Sequence, residues 1–235
     1  MRTALLLGAT GLTGRNCLNF LLEDKDYEKV IALCRRPIQQ NGQELTHEKL
    51  EQHVVNFDAL ESHSDLFKVD DVFCCLGTTI KKAGSKDAFR KVDLEYPLAA
   101  AKCAAANNCQ QFLVISAPES SEKSPFFYGR VKGEMEALVS KQAFAGTYIF
   151  RPSLLIGERE DGGRLGEGLA IKVLTGAPWL MVGALKKLKP IKAKDVARAM
   201  IIVAKTQPEG HRTFSSGRIQ AIADAGDMRL PGDEK

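Results

Sequence analysis

Six short apolar runs, each separated from the next by a stretch of other character, constrain the fold of this chain more than any other feature. They occupy residues 4–8, 30–34, 53–57, 71–77, 111–116 and 146–152 and are rich in Val, Ile, Leu or Phe. None alternates apolar with polar residues as a half-exposed strand would. Such runs suit parallel strands buried on both faces under helices. Between them, Leu12, Phe20 and Leu21, then Leu98, Ala101 and Ala105, then Val131, Met135, Leu138 and Val139 recur at helical spacing. Strand and helix in alternation imply right-handed βαβ units. The expected fold class is α/β, a doubly wound and mostly parallel sheet with helices on both faces. The 235 residues suit a single domain, 1–235. The glycine-rich stretch 158–168 is expected to open a small substrate-facing segment around 153–190.

The first run ends in Gly8-Ala9-Thr10-Gly11-Leu12-Thr13-Gly14 and continues as an amphipathic helix. A strand that turns tightly into a helix leaves the first helical N–H groups unpaired. Those donors and the helix dipole make an anion site. Gly8 allows the tight turn, Gly11 lets backbone approach a pyrophosphate, and Gly14 lets the helix pack on the strand. A merely tight turn is the competing reading, since the spacing is G-x-x-G-x-x-G and not G-x-G-x-x-G. The second run ends in Cys34-Arg35-Arg36-Pro37, with no acid to accept from a ribose 2′-hydroxyl. Two guanidiniums there would clamp a 2′-phosphate in fork geometry, which points to NADP(H). Solvated turn arginines are the alternative.

Tyr128 and Lys132 stand four apart at the start of a helical pattern, so their side chains share a face. A tyrosine titrates near ~10, and a neighbouring ammonium favours phenolate and makes the proton transferable. Together with the glycine turn, this pair resembles the short-chain dehydrogenase/reductase superfamily. The stretches "VFCCLGTTIKKAG", "FRKVDLEY", "YGRVKGEMEA" and "FRPSLLIGERE" resemble its atypical branch containing the human HIV Tat-interacting protein and bacterial relatives. The resemblance covers residues 3–205. It implies a Rossmann domain, NADP(H) as cofactor, Tyr128 as proton donor and Lys132 on the nicotinamide ribose. It further implies Asn56 and Phe57 near the adenine, Leu76, Gly77 and Thr78 beside the middle of the cofactor, and Pro152 to Leu155 near the nicotinamide. Asp195 is expected to cap a late helix.

One departure bears on catalysis. The superfamily has a serine pair at the end of the fifth strand, and here it reads Ser116-Ala117. Ser116 is the candidate carbonyl donor, with Ser120 or Ser121 as substitutes. Loss of one such donor costs on the order of 10²–10³ in rate. Three functions are therefore open. The first is an NADP(H)-dependent oxidoreductase of a small carbonyl or related electrophile. The second is a non-catalytic NADP(H)-binding regulator. The third, nucleotide-sugar epimerisation or dehydration, would need a larger carboxy-terminal substrate domain. The substrate itself is not named by the sequence, and Arg164 stands either to hold an anionic group or to be solvated.

Composition removes other classes. Net charge is +4, with no lysine-arginine block, so no nucleic-acid partner is expected. The amino terminus lacks a signal-peptide pattern and no apolar run reaches 18 residues, so the expectation is a cytoplasmic protein without a membrane. Six cysteines form no C-x-x-C pair and no metal spacing with the four histidines. They are read as reduced core thiols and no metal is expected. A homodimer and a complex with a protein partner both stay open.

Overall fold

A computed structural model of the protein describes residues 1–157, 189–206 and 209–226. Among these, seven strands form one sheet: β1 (Arg2–Leu7), β2 (Tyr27–Cys34), β3 (Leu50–Val54), β4 (Asp71–Cys74), β5 (Gln111–Ile115), β6 (Gly146–Arg151) and β7 (Gly210–Ser215). They lie in the order β3-β2-β1-β4-β5-β6-β7, and every neighbouring pair is parallel. The strand order reverses between β1 and β4. In open α/β sheets, the carboxyl ends of the strands at that reversal form the ligand crevice.

Helices α1 (Leu12–Glu23), α2 (Tyr96–Ala106), α3 (Phe127–Val139), α4 (Ala193–Thr206) and α5 (Ser216–Ala225) cover the two faces. β1 shows why both faces must be apolar. Ala4 and Leu6 join one core with residues of α1, α4 and α5, while Leu5 and Leu7 join a second core with residues of α2, α3 and the 3₁₀ run Phe57–Phe67. All four are fully buried, and each leucine contributes about 1.5–3 kcal/mol by leaving water. At the amino end of the sheet, the buried Asp71 carboxylate accepts from Arg2 Nε at 2.8 Å and Tyr27 Oη at 2.7 Å. That network ties β1, β2 and β4 together at the end opposite the glycine turn.

Several boundaries differ from the sequence reading. The third strand is Leu50–Val54, three residues earlier than expected, because Val55 and Phe57 turn into the core and Asn56 caps the 3₁₀ run. The fourth ends at Cys74, and residues 75–79 form the loop beside the glycine turn. β7 was not anticipated: only Phe214 in it is buried, so its hydrophobic signal is weak. Asp195 lies inside the first turn of α4 and is not its cap; its Oδ2 accepts from Gln220 Nε2 of α5 at 3.2 Å. The ends of the expected substrate-facing segment meet: Leu155–Ile156 pairs in parallel with Ile191–Lys192, and Ser153 Oγ donates to Lys189 O at 2.5 Å. Arg164 and most of that segment lie outside the described residues. No helix among the described residues is long and apolar enough to cross a membrane.

Candidate active site

The turn after β1 is built around two glycines that the fold itself requires. Gly8 has φ +83°, and a Cβ on it would fall 2.7 Å from the Cys75 carbonyl oxygen at the end of β4. A Cβ on Gly14 would fall 2.0 Å from the Gly8 carbonyl oxygen, so α1 packs directly on the turn. Gly11 differs. Its φ of −80° and ψ of 168° suit any residue, and among the described residues a Cβ there would meet only the Gly8 oxygen, at 3.2 Å. It opens α1 with no side-chain cap, so the N–H groups of the first turn are offered outward. The Thr13 hydroxyl in that turn is buried and has no hydrogen-bond partner among the described residues. An open cradle, a free helix start and an orphaned buried hydroxyl fit a dinucleotide pyrophosphate. Ala9 is buried beneath the turn, Thr10 is exposed and Leu12 is half-buried.

The other expected cofactor residues flank this cradle at the same sheet edge. Arg35 and Arg36 are exposed just past β2 and join no ion pair among the described residues. Asn56 is exposed, but its Oδ1 accepts from Asp58 N at 3.0 Å as a cap. The Phe57 ring is buried and lies 5.4 Å from the Tyr96 ring, so it faces the core. Leu76 and Thr78 are half-buried and Gly77 is exposed in the 75–79 loop. Pro152 is buried and Leu155 half-buried; two residues further on, Gly157 approaches the Leu12 side chain, which brings this segment over the start of α1.

Tyr128 and Lys132 stand one turn apart near the start of α3. Lys132 reaches a buried well between the ends of β4 and β5. Its Nζ pairs with Asp93 Oδ1 at 2.8 Å and donates to Ile115 O at 3.5 Å, with the two side chains 4% and 1% exposed. Burial works against the ammonium, yet Asp93 and Tyr128 hold its pKa above the ordinary lysine value. Tyr128 moves opposite to the sequence expectation. Burial raises its pKa; the Lys132 charge pulls it down and Asp93 pushes it up again, so the net direction is up and the phenol is favoured over phenolate. The tyrosine ring packs 5.4 Å from that of Phe89.

The serine loop lies flat on α3. A Cβ on Gly133 would strike Ser121, at 2.2 Å from its carbonyl carbon, and one on Gly129 would strike the Ser124 hydroxyl at 2.5 Å. Ser116 extends the sheet, donating its N–H to Phe150 O at 2.7 Å. Its Oγ lies 3.2 Å from Ser120 Oγ, and Ser120 donates to Ala117 O at 2.7 Å. A hydroxyl has one proton, so Ser116 is the donor in the pair. Ala117 is 4% exposed, Ser120 is buried and Ser121 is exposed. Arg151, at the end of β6, fastens this loop: its Nε donates to Glu136 Oε1 of α3 at 2.9 Å, its Nη2 pairs with Oε2, and Nη2 donates to Ser120 O at 3.1 Å.

Asp93, Glu136 and Arg151 were not reached from the sequence. Asp93 sits in a π turn, Lys91–Glu95, between the helical segments Lys86–Arg90 and Tyr96–Ala106. Its only sequence signal is an acid inside an otherwise amphipathic stretch. Insertions of this kind recur at functional sites.

Residues 4–215 match the family model described as "NAD dependent epimerase/dehydratase family". The chain is 37% identical over 178 residues to Protein HTATIP2 of Rattus norvegicus, covering 75% of this chain and 72% of that protein. It is 32% identical over 214 residues to "Protein FMP52, mitochondrial" of Meyerozyma guilliermondii, covering 88% and 89%. Among solved structures it is similar to the Bordetella bronchiseptica enzyme WbmH in complex with NAD+, with TM-score 0.68, 17% identity and coverage of 100% and 84%. It is also similar to MoeE5 in complex with UDP-glucuronic acid and NAD, with TM-score 0.67, 16% identity and coverage of 91% and 75%.

Proposed function

Because the chain belongs to the NAD dependent epimerase/dehydratase family, we propose that it binds NADP(H) over the glycine turn and reduces a small carbonyl compound or related electrophile. The observation that carries this reading is one sheet edge holding both parts: the glycine turn, packed on Cys75 at Gly8 and open at Gly11, and the buried Lys132 between the ends of β4 and β5. The first-turn N–H groups of α1 and the Thr13 hydroxyl would hold the pyrophosphate. Arg35 and Arg36 would hold the 2′-phosphate, their guanidiniums being exposed and uncommitted to any carboxylate among the described residues. Bound NADPH supplies the hydride. Tyr128, kept as phenol by burial, gives the proton to the nascent substrate oxygen. Ser116 orients the carbonyl once its proton leaves Ser120.

The test is NADPH oxidation against a panel of aldehydes and ketones, with Tyr128→Phe as control. Turnover by the wild type that falls about 10²–10⁴-fold in Tyr128→Phe supports the reading. Tight NADPH binding without turnover would instead favour a cofactor-binding regulator, a reading that the buried Ala117 in place of a second serine supports. A cytoplasmic location is part of this proposal, although the yeast relative carries "mitochondrial" in its name. Cell fractionation decides that point.

A further inference from the structure

The Lys132 ammonium has a partner that a proton-donating tyrosine does not itself require. Asp93 presents one carboxylate oxygen to Lys132 Nζ at 2.8 Å, and the other accepts from Thr78 N at 2.9 Å. One side chain thus joins the loop that flanks the glycine turn to the lysine of the catalytic helix. Both partners are almost excluded from water, so their attraction is little screened. The π turn is what makes this reach possible, since it sets Asp93 inward while Lys91 on the same turn pairs outward with Asp58 at 2.8 Å.

Among the described residues, two charged groups act on Tyr128. Lys132 lies on its own helix and Asp93 on the π turn packed against it. Behind the pair, the Cys74 thiol at the end of β4 is pushed up to about 12 by burial and stays neutral. A lone ammonium one helical turn away would draw Tyr128 toward phenolate, the form that takes a proton. With Asp93 in contact the pair is neutral overall, and that pull is reduced.

We propose that Asp93 is a positioning residue for the proton step: its carboxylate holds Lys132 against the 75–79 loop and offsets its charge, so that Tyr128 works as a proton donor and not as a base. The inference rests on the reading of Tyr128 as the donor. In the step it favours, the Tyr128 O–H bond breaks, its proton goes to the substrate oxygen as hydride from NADPH reaches the carbonyl carbon, and water later returns a proton to the phenolate.

The test is titration of tyrosine-ring ¹³C-labelled protein by NMR, with Tyr128→Phe assigning the Tyr128 signal. Asp93→Asn keeps the shape and removes the charge. It should lower the Tyr128 midpoint by about one pH unit or more, the size expected when one near charge is lost. Asp93→Glu should restore it toward wild type. Where Asp93→Asn does not fold, Asp93→Ser, smaller and equally uncharged, carries the same expectation. The alkaline limb of NADPH oxidation should move down with the midpoint. A folded neutral variant whose Tyr128 midpoint is unchanged or higher overturns the proposal, as does an Asp93→Glu protein that behaves like Asp93→Asn. The titration needs no turnover, so it decides the role of Asp93 even if no carbonyl is reduced.

Discussion

Gly11 and Gly14 lie three residues apart in one turn, yet the geometry separates what each is for. Gly11→Val places its side chain from a backbone with φ −80° and ψ 168°, allowed to any residue, where the new Cβ meets a single atom at 3.2 Å. Losing a glycine from the unfolded chain stabilises by about 0.4–1 kcal/mol. A poor residue at a helix start costs up to about 1 kcal/mol against that. The Gly8 carbonyl must also give by a few tenths of an ångström, so the net loss is about 1 kcal/mol, or about 2–4 °C in Tm for a domain of this size. Gly14→Ala has no such latitude. Its Cβ would sit 2.0 Å from the Gly8 carbonyl oxygen and 2.7 Å from the carbonyl carbon, and both are backbone atoms that cannot rotate away. Overpacking of that kind costs about 1–3 kcal/mol or more, which at its upper end is about 6–12 °C. Thermal unfolding should therefore rank Gly14→Ala well below Gly11→Val. Fluorescence titration with NADPH should show at least a tenfold loss for Gly11→Val, because its side chain fills the cradle at the uncapped start of α1. A Gly11→Val protein with wild-type NADPH affinity would refute the placement of the cofactor. A Tm loss equal to that of Gly14→Ala would refute the separation of roles.

NADPH should bind at least about tenfold more tightly than NADH, and Arg35→Ala/Arg36→Ala should erase the difference, since a charge-assisted contact is worth about 1.5–3 kcal/mol; equal affinities in the wild type would dismiss the arginine clamp. Burial raises the Tyr128 pKa above the ordinary tyrosine value, so the protonated form persists as pH rises. Reductive turnover should accordingly show no loss of its proton donor between pH 7 and 9 and should fall only above about pH 10, which a kcat–pH profile checks. Arg151→Met should destabilise by about 2–3 kcal/mol because Glu136 is left buried and unpaired, while Arg151→Met/Glu136→Leu should recover much of that loss. Calorimetry of the three proteins checks this, and an undamaged single variant would show that the pair carries no weight.

The parallel sheet, the glycine turn and the Tyr128–Lys132 spacing were legible because each is a local pattern. Apolar runs without alternation report burial on both faces. Three glycines between strand and helix report a tight turn, which the structure closes to side chains at Gly8 and Gly14 and leaves open at Gly11, and a separation of four reports a shared helix face. β7 was not legible, since an edge strand with one buried residue leaves little hydrophobic signal. The direction of the Tyr128 shift was beyond the sequence as well. It depends on Asp93, thirty-five positions away, and on burial, and no spacing rule encodes either. The same holds for Arg151, which reaches Glu136 and the Ser120 carbonyl only because β6, α3 and the serine loop converge at one sheet edge. Charges act through space and local dielectric. The sequence determined which ionisable groups this protein has, and only their packing decided which of them meet out of reach of water.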